Sequence, residues 1–176
     1  MYSNYEVIKK KYKDLGCSTF FLKKGNLVRN YDLAIEKINK ADIIYFCGGD
    51  TLKLLEIVDE FNLGEKFKSA YERGCVMVGV SAGAILLCKE GLSDSYILRG
   101  ESNEYKFIKG LGLIDICICP HYHTDSSRDL VAFNSKKEVY GIEEGTMILC
   151  SNQGMESYCL GDNHIYKIKN KKEIIL

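Results

Sequence analysis

The sequence has 176 residues, room for one domain with a real core, and its 24 Lys+Arg balance 24 Asp+Glu. That zero net charge gives no electrostatic reason to expect nucleic acid or an anionic membrane as partner, and 46% hydrophobic with 27% charged residues excludes a disordered chain. No run reaches the ~18 consecutive apolar residues of a membrane span; the polar opening, Met1 to Glu6, leads into Lys9-Lys10-Lys11 without the apolar core of a signal peptide, so a cytoplasmic location is expected.

Periodicity predicts a helix from Glu6 to Leu15, ended by Gly16, and a short strand from Ser18 to Leu22. A helix follows over Tyr31–Lys40 with Asn30 as N-cap. Asp42 to Cys47 is an apolar strand that runs straight into Gly48-Gly49-Asp50-Thr51. Helices are predicted over Leu52–Phe61 and Gly64–Arg73, with Gly74 as C′ glycine. Cys75 to Val80 is a second apolar strand, followed by Ser81-Ala82-Gly83-Ala84 and a short helix, Ile85 to Lys89.

Further on, Ile114 to Cys119 is apolar and precedes Pro120-His121-Tyr122-His123; Ser127 to Ser135 has helical character. Val139 to Ile142, Thr146 to Ser151 and Ile165 to Ile168 read as strands, the last with the character of a terminal hairpin. Near-continuous apolar strands alternating with helices predict an α/β fold, a mostly parallel sheet covered on both faces, with its function at the carboxyl ends of the strands. The eight cysteines contain no CxxC pair, and most fall in buried-strand segments, where Cys acts as a small hydrophobe.

Gly79-Val80-Ser81-Ala82-Gly83 matches GxSxG between an apolar strand and a helix. A tight turn there pushes the Ser81 hydroxyl out of the sheet, small residues at 79 and 83 let strand and helix approach, and the helix N-terminus offers N–H groups to an oxyanion. A glycine-rich turn with an idle serine has the same pattern. Gly48-Gly49-Asp50-Thr51 places a second glycine pair at a strand end, suited to the other half of an oxyanion hole and equally to a plain turn with Asp50 as N-cap. A serine nucleophile needs a base. Of His121, His123 and His164, His121 sits at a strand end; His123 is a candidate substrate contact or a surface residue, and His164 lies in a turn. Asp94 and Glu144 are both candidates for the acid that orients the base, and spacing does not choose between them. Three scattered histidines make no zinc signature, and no metal or cofactor is expected.

Taken together, Cys47 to Leu55, Gly79 to Ala84 and Cys119-Pro120-His121-Tyr122 resemble the motifs of the peptidase E family, aspartyl dipeptidases whose relatives are cyanophycinases. Gly141 to Gly145 resembles a fourth motif, G-x-x-E-G, and the likeness runs from about Tyr5 to Ile168. The resemblance implies a class I glutamine-amidotransferase-like (flavodoxin-like) three-layer αβα fold with serine where amidotransferases carry cysteine. It implies Ser81 as nucleophile, His121 as base, and backbone amides of Gly49, Asp50 and Ala82 as oxyanion hole. Asp94 matches an aspartate needed for activity, and Glu144 the other acid, a partner for the histidine. Arg128 matches the arginine that holds an N-terminal aspartate side chain, a role that suits its planar fork.

The implied activity is hydrolysis of short peptides of the Asp-X type. The alternatives are an inactive or regulatory binding module and a hydrolase of a non-peptide amide or ester. The chain reads as a single domain, 1–176, without counterpart to the family's opening strand–helix–strand segment; an exposed sheet edge there invites a homodimer.

Overall fold

The computed structural model describes residues 4–176; Met1 to Ser3, part of the polar opening, lie outside the described residues. In chain order the elements are α1 (Asn4–Asp14), α2 (Lys24–Arg29), α3 (Tyr31–Lys40), β1 (Ile43–Phe46), α4 (Thr51–Glu60), α5 (Gly64–Glu72), β2 (Val76–Gly79) and α6 (Ala82–Leu87). Then come β3 (Cys88–Ser93), α7 (Ser95–Leu98), β4 (Lys106–Lys109), β5 (Ile114–Pro120), α8 (Ser126–Phe133), β6 (Val139–Ile142), β7 (Thr146–Ser151), β8 (Gly154–Cys159), β9 (Ile165–Lys169) and β10 (Lys172–Ile175).

The centre is mostly parallel, as the apolar strands predict. β1 pairs with β2, β3 with β5, and β5 with β6, all parallel. Antiparallel strands extend the larger sheet at both edges, β4 beside β3 and the β9–β10 hairpin beside β6, giving the order β10-β9-β6-β5-β3-β4. β7 and β8 form a separate antiparallel ribbon.

The alternation of β5 shows why this is a covered sheet. Cys117 and Cys119 point into one cluster with Leu92, Tyr122, Ala132 of α8, Val139 and Ile168. Ile116 and Ile118 point the other way, onto Ile85 of α6, Cys88 and Tyr140. Successive strand residues face opposite sides, so the unbroken apolar run from Ile116 to Pro120 requires cover on both. A third cluster packs α2 to α5 against β1 through Leu27, Ala34, Ile38, Val58, Leu63, Phe67 and Ala70 around Phe46.

Several local expectations hold. Asn30 caps α3 by accepting from the Leu33 N–H at 3.0 Å. Gly74 has φ 95 and its N–H closes the turn onto Tyr71. Others need correction. Ser18–Leu22 forms no ladder, although its composition suits a strand. The predicted helix Ile85–Lys89 is displaced: α6 starts directly behind Ser81, and Cys88 and Lys89 already belong to β3. The reason is packing: Cys88 is buried beside Cys117 and Cys150, and a Cβ on Gly91 would meet Ile85 and Ile118 within 3.1 Å, so β3 threads closely between its neighbours.

Candidate active site

The site begins at the end of β2. The Val80 N–H donates to the Phe46 carbonyl at 3.1 Å, so the β1–β2 ladder continues up to the serine. Ser81 then adopts φ 52 and ψ −115, a backbone conformation costing ~1–3 kcal/mol for a residue with a Cβ. The two motif glycines make it affordable. A Cβ on Gly79 would lie 2.5 Å from the Gly83 carbonyl oxygen, and a Cβ on Gly83 would lie 2.2 Å from the Phe46 carbonyl oxygen. Only hydrogen at both positions lets α6 dock on β1 and β2, and the turn between them leaves the Ser81 side chain projecting.

β5 ends at Pro120 and delivers His121, with φ 57. The turn is held from several directions. The Tyr122 N–H donates to Ile142 O at 3.1 Å, while His121 O accepts from Thr124 Oγ1 at 2.6 Å and from Arg128 Nη1 at 2.9 Å. In that position His121 Nε2 lies 2.8 Å from Ser81 Oγ. His121 Nδ1 is hydrogen-bonded to Glu144 Oε1 from the turn between β6 and β7. A proton on Nδ1 directed at the carboxylate leaves Nε2 as acceptor for the serine hydroxyl, the arrangement a nucleophile–base pair requires. Residues 81, 121 and 144, far apart in sequence, thus form one chain of contacts.

Gly48 packs on the same serine: a Cβ built there would stand 3.3 Å from Ser81 Cβ and 3.9 Å from its Oγ. Gly49 has φ 140, which frees the backbone to turn into α4. The Asp50 carboxylate is engaged elsewhere. It caps α4 by accepting from Leu52 N at 2.9 Å and Lys53 N at 3.3 Å, and takes Arg99 Nε at 2.9 Å. Burial pushes its pKa up, but hydrogen bonds from Ser95, Arg99 and the Lys53 N–H, with the Arg99 charge, outweigh that and hold it below the usual value. The loop between β1 and α4 therefore contributes backbone rather than side chain at the serine. Ala82 opens α6 directly after Ser81, which puts its N–H among the helix's unpaired first amides.

The other candidates stand as follows. Asp94 occupies the N-cap position of α7, makes no capping bond, and is not bonded to His121. Arg128, on α8, is 9% exposed. Its Nη1 donates to His121 O and to Thr124 Oγ1 at 2.8 Å, its Nη2 to Tyr105 OH at 3.4 Å, and it stacks on the Tyr105 ring at 4.7 Å. Among the described residues no carboxylate forms an ion pair with it. His123, with φ 63, bonds to Glu143 through Nδ1 at 2.7 Å.

Sequence reasoning missed three participants: Glu143; Arg99 with its partners Asp50 and Glu56; and a buried hydroxyl chain. In that chain Thr51 Oγ1 lies 2.9 Å from Ser93 Oγ, which lies 3.0 Å from Ser95 Oγ. Apart from Ser93–Ser95 these are long-range contacts, and none has a local motif that would have revealed it. A cavity of about 890 Å³ runs along β1 from Tyr5 and Phe21 to Gly49 and Ala82; it reaches the loop between β1 and α4 but includes neither Ser81 nor His121. Among the described residues no cluster of three or more His, Cys, Asp or Glu is arranged to hold a metal ion, and no helix is long and apolar enough to cross a membrane.

An elbow serine at the end of β2, a histidine at the end of β5 and a carboxylate behind it define a serine-hydrolase-like site on an α/β fold. The family model for peptidase family S51 matches residues 3–158, and the chain belongs to that family. Over 91 residues it is 34% identical to the uncharacterized peptidase YgaJ of Bacillus subtilis (strain 168), a stretch covering 52% of this chain and 37% of that one. It is 25% identical to peptidase E of Nostoc sp. (strain PCC 7120 / SAG 25.82 / UTEX 2576), covering 98% of this chain and 72% of the relative. The crystal structure of a putative peptidase E protein from Listeria monocytogenes EGD-e shares the fold, with TM-score 0.71 at 21% identity over 92% of this chain and 80% of the other.

Proposed function

We propose that the chain is a serine peptidase that hydrolyses short peptides after their first residue, with preference for an acidic one. The observation that carries this reading is the contact of Ser81 Oγ with His121 Nε2 at 2.8 Å, backed by Glu144 on Nδ1. Family membership and the peptidase E relatives support it.

In this mechanism His121 Nε2 accepts the Ser81 proton as Oγ attacks the peptide carbonyl. Negative charge on the carbonyl oxygen is met by N–H groups of the Gly49–Asp50 loop and of Ala82. The imidazolium, stabilised by Glu144, returns the proton to the leaving amine. Water then attacks the acyl-enzyme by the same route and frees Ser81.

Arg128 supports the acidic preference. Of the guanidinium's five N–H donors, three are used, by His121 O, Thr124 Oγ1 and Tyr105 OH. A buried guanidinium with donors to spare and no carboxylate partner among the described residues is suited to a substrate carboxylate.

The test is hydrolysis of Asp-X dipeptides and Asp-p-nitroanilide by the wild type and Ser81→Ala. Turnover that disappears in the variant is the expected result. Undiminished turnover in Ser81→Ala overturns the reading. A wild type that neither turns over nor reacts with a fluorophosphonate points instead to a binding module.

A further inference from the structure

Beside the His121–Glu144 contact lies a second imidazole–carboxylate pair with no part in the reaction just described. His123 follows His121 by two residues, Glu143 precedes Glu144 by one, and His123 Nδ1 lies 2.7 Å from Glu143 Oε1. We propose that Glu143 is a positioning residue, locking the turn that carries Glu144 to the histidine loop so that Glu144 stays on His121. The inference rests on Ser81, His121 and Glu144 being the reacting set.

The two glutamates differ in setting. Glu144's side chain is 66% exposed, Glu143's only 14%. Among the described residues Glu144 has no hydrogen-bond partner but His121. A solvated carboxylate with one contact loses side-chain entropy to keep it, so its alignment depends on how firmly its backbone is held.

Glu143 supplies that hold from three segments. Oε1 takes His123 from the histidine loop, and Oε2 accepts the His164 N–H at 2.6 Å from the approach to β9. Its own N–H donates to His164 O at 3.3 Å, and its carbonyl accepts Thr146 Oγ1 at 2.7 Å at the start of β7. Burial pushes the Glu143 pKa up, but the His164 N–H and the two histidines prevail and hold it below the usual value, so these bonds are made by a carboxylate.

The His123 end is equally fixed. Its ring packs against those of Tyr122 at 4.2 Å and Tyr166 at 4.7 Å, and its N–H donates to Asp129 Oδ1 at 3.1 Å. With φ 57 at His121 and φ 63 at His123, the loop needs such over-determination to persist. His123, a candidate substrate contact by sequence, presents its Nδ1 to Glu143.

The experiment is a double-mutant cycle read by the second-order rate of fluorophosphonate labelling at Ser81, together with kcat and KM. Glu143→Ala is expected to slow labelling and lower kcat about 10- to 100-fold, with KM little changed, because it misplaces a reacting group rather than removing a substrate contact. In a Glu144→Gln background the same substitution should cost almost nothing more, since the group it positions is gone. His123→Phe, which keeps an aromatic ring against Tyr122 and Tyr166 but removes the bond, should give a smaller loss that Glu144→Gln also absorbs, and it serves if Glu143→Ala folds poorly. Labelling of Glu143→Ala at the wild-type rate, or an equal fold-loss in both backgrounds, overturns the proposal and makes Glu143 merely structural. A wild type that does not label overturns the reacting set itself, and the inference falls with it.

Discussion

Ser81 is held at φ 52, His121 at φ 57 and His123 at φ 63, three non-glycine residues in backbone regions that side chains avoid. Each persists because its surroundings specify it: the elbow glycines and the β1 ladder for Ser81, and the bonds on the His121 carbonyl and the His123 N–H for the others. Glu144→Gln removes the charge behind His121 while keeping shape. The expected result is a kcat loss of about 100- to 10,000-fold, with Ser81 still present and folded. Asp94→Asn, which leaves the His121–Glu144 contact intact, should cost less; a larger loss in Asp94→Asn would move the orienting role back to Asp94. Arg128 is tested by a ratio, because it also supports the His121 turn. Arg128→Met should lower kcat/KM for an Asp-first dipeptide about 10-fold or more beyond its effect on an Ala-first one, the cost of losing a charge-assisted bidentate partner. Equal losses would assign Arg128 to structure alone. At this scale Ser81 and His121 were legible as site candidates, because GxSxG and Pro-His sit at strand ends and carry their geometry locally. The carboxylate was legible only as a choice between Asp94 and Glu144, because the contact of Glu144 with His121 spans 23 residues and spacing along the chain does not rank the two.

The elements that were legible are those whose packing is local or continuous. α3, β5 and β6 fall close to their predicted bounds because their apolar periodicity matches the faces they bury. β3 was missed because its burial does not alternate: Gly91, Leu92 and Ser93 are all buried, with Gly91 closely packed and Ser93 bonded to Thr51. β8 was missed for the opposite reason, since it is almost wholly exposed and is held by its ladder to β7. The contact on which the site depends most is that of α6 with β1. Gly83→Ala would place a methyl 2.2 Å from Phe46 O, a backbone atom that cannot swing aside as a side chain would. The expected cost is at least about 3 kcal/mol, the upper range of overpacking, measured as a fall in the urea midpoint at unchanged m. Activity should fall with it, because α6 carries Ala82 and the turn that projects Ser81. A Gly83→Ala protein as stable as wild type would mean that α6 can shift away from β1 freely.

Across the whole molecule, the cysteines show how a two-faced sheet sets pH tolerance. Cys88, Cys117 and Cys119 are at most 8% exposed, and they line both sides of the larger sheet. Burial, the dominant cause, pushes each thiol up to about 12; Cys150 and Cys117 add to it at Cys88, Glu90 adds to it at Cys117 against the Lys137 charge, and Asp129 and Cys117 add to it at Cys119 against the Arg128 charge. In the unfolded chain a thiol titrates near ~8.5. A raised folded value means that the native state keeps protons that the unfolded chain releases. The resulting stability is therefore complete below pH ~8.5 and drains away as pH climbs towards 12, at a limiting slope of about 1.4 kcal/mol per pH unit for each thiol. Unfolding free energy from urea titrations between pH 9 and 11 should fall steeply. Cys119→Ala carries a fixed cavity cost but removes one of these protons, so its curve should start lower and fall less steeply, by nearly that per-thiol slope. Parallel curves for the two proteins would show that Cys119 can ionise in the folded state at ordinary cost, and that the interior of the sheet is far wetter than its packing implies.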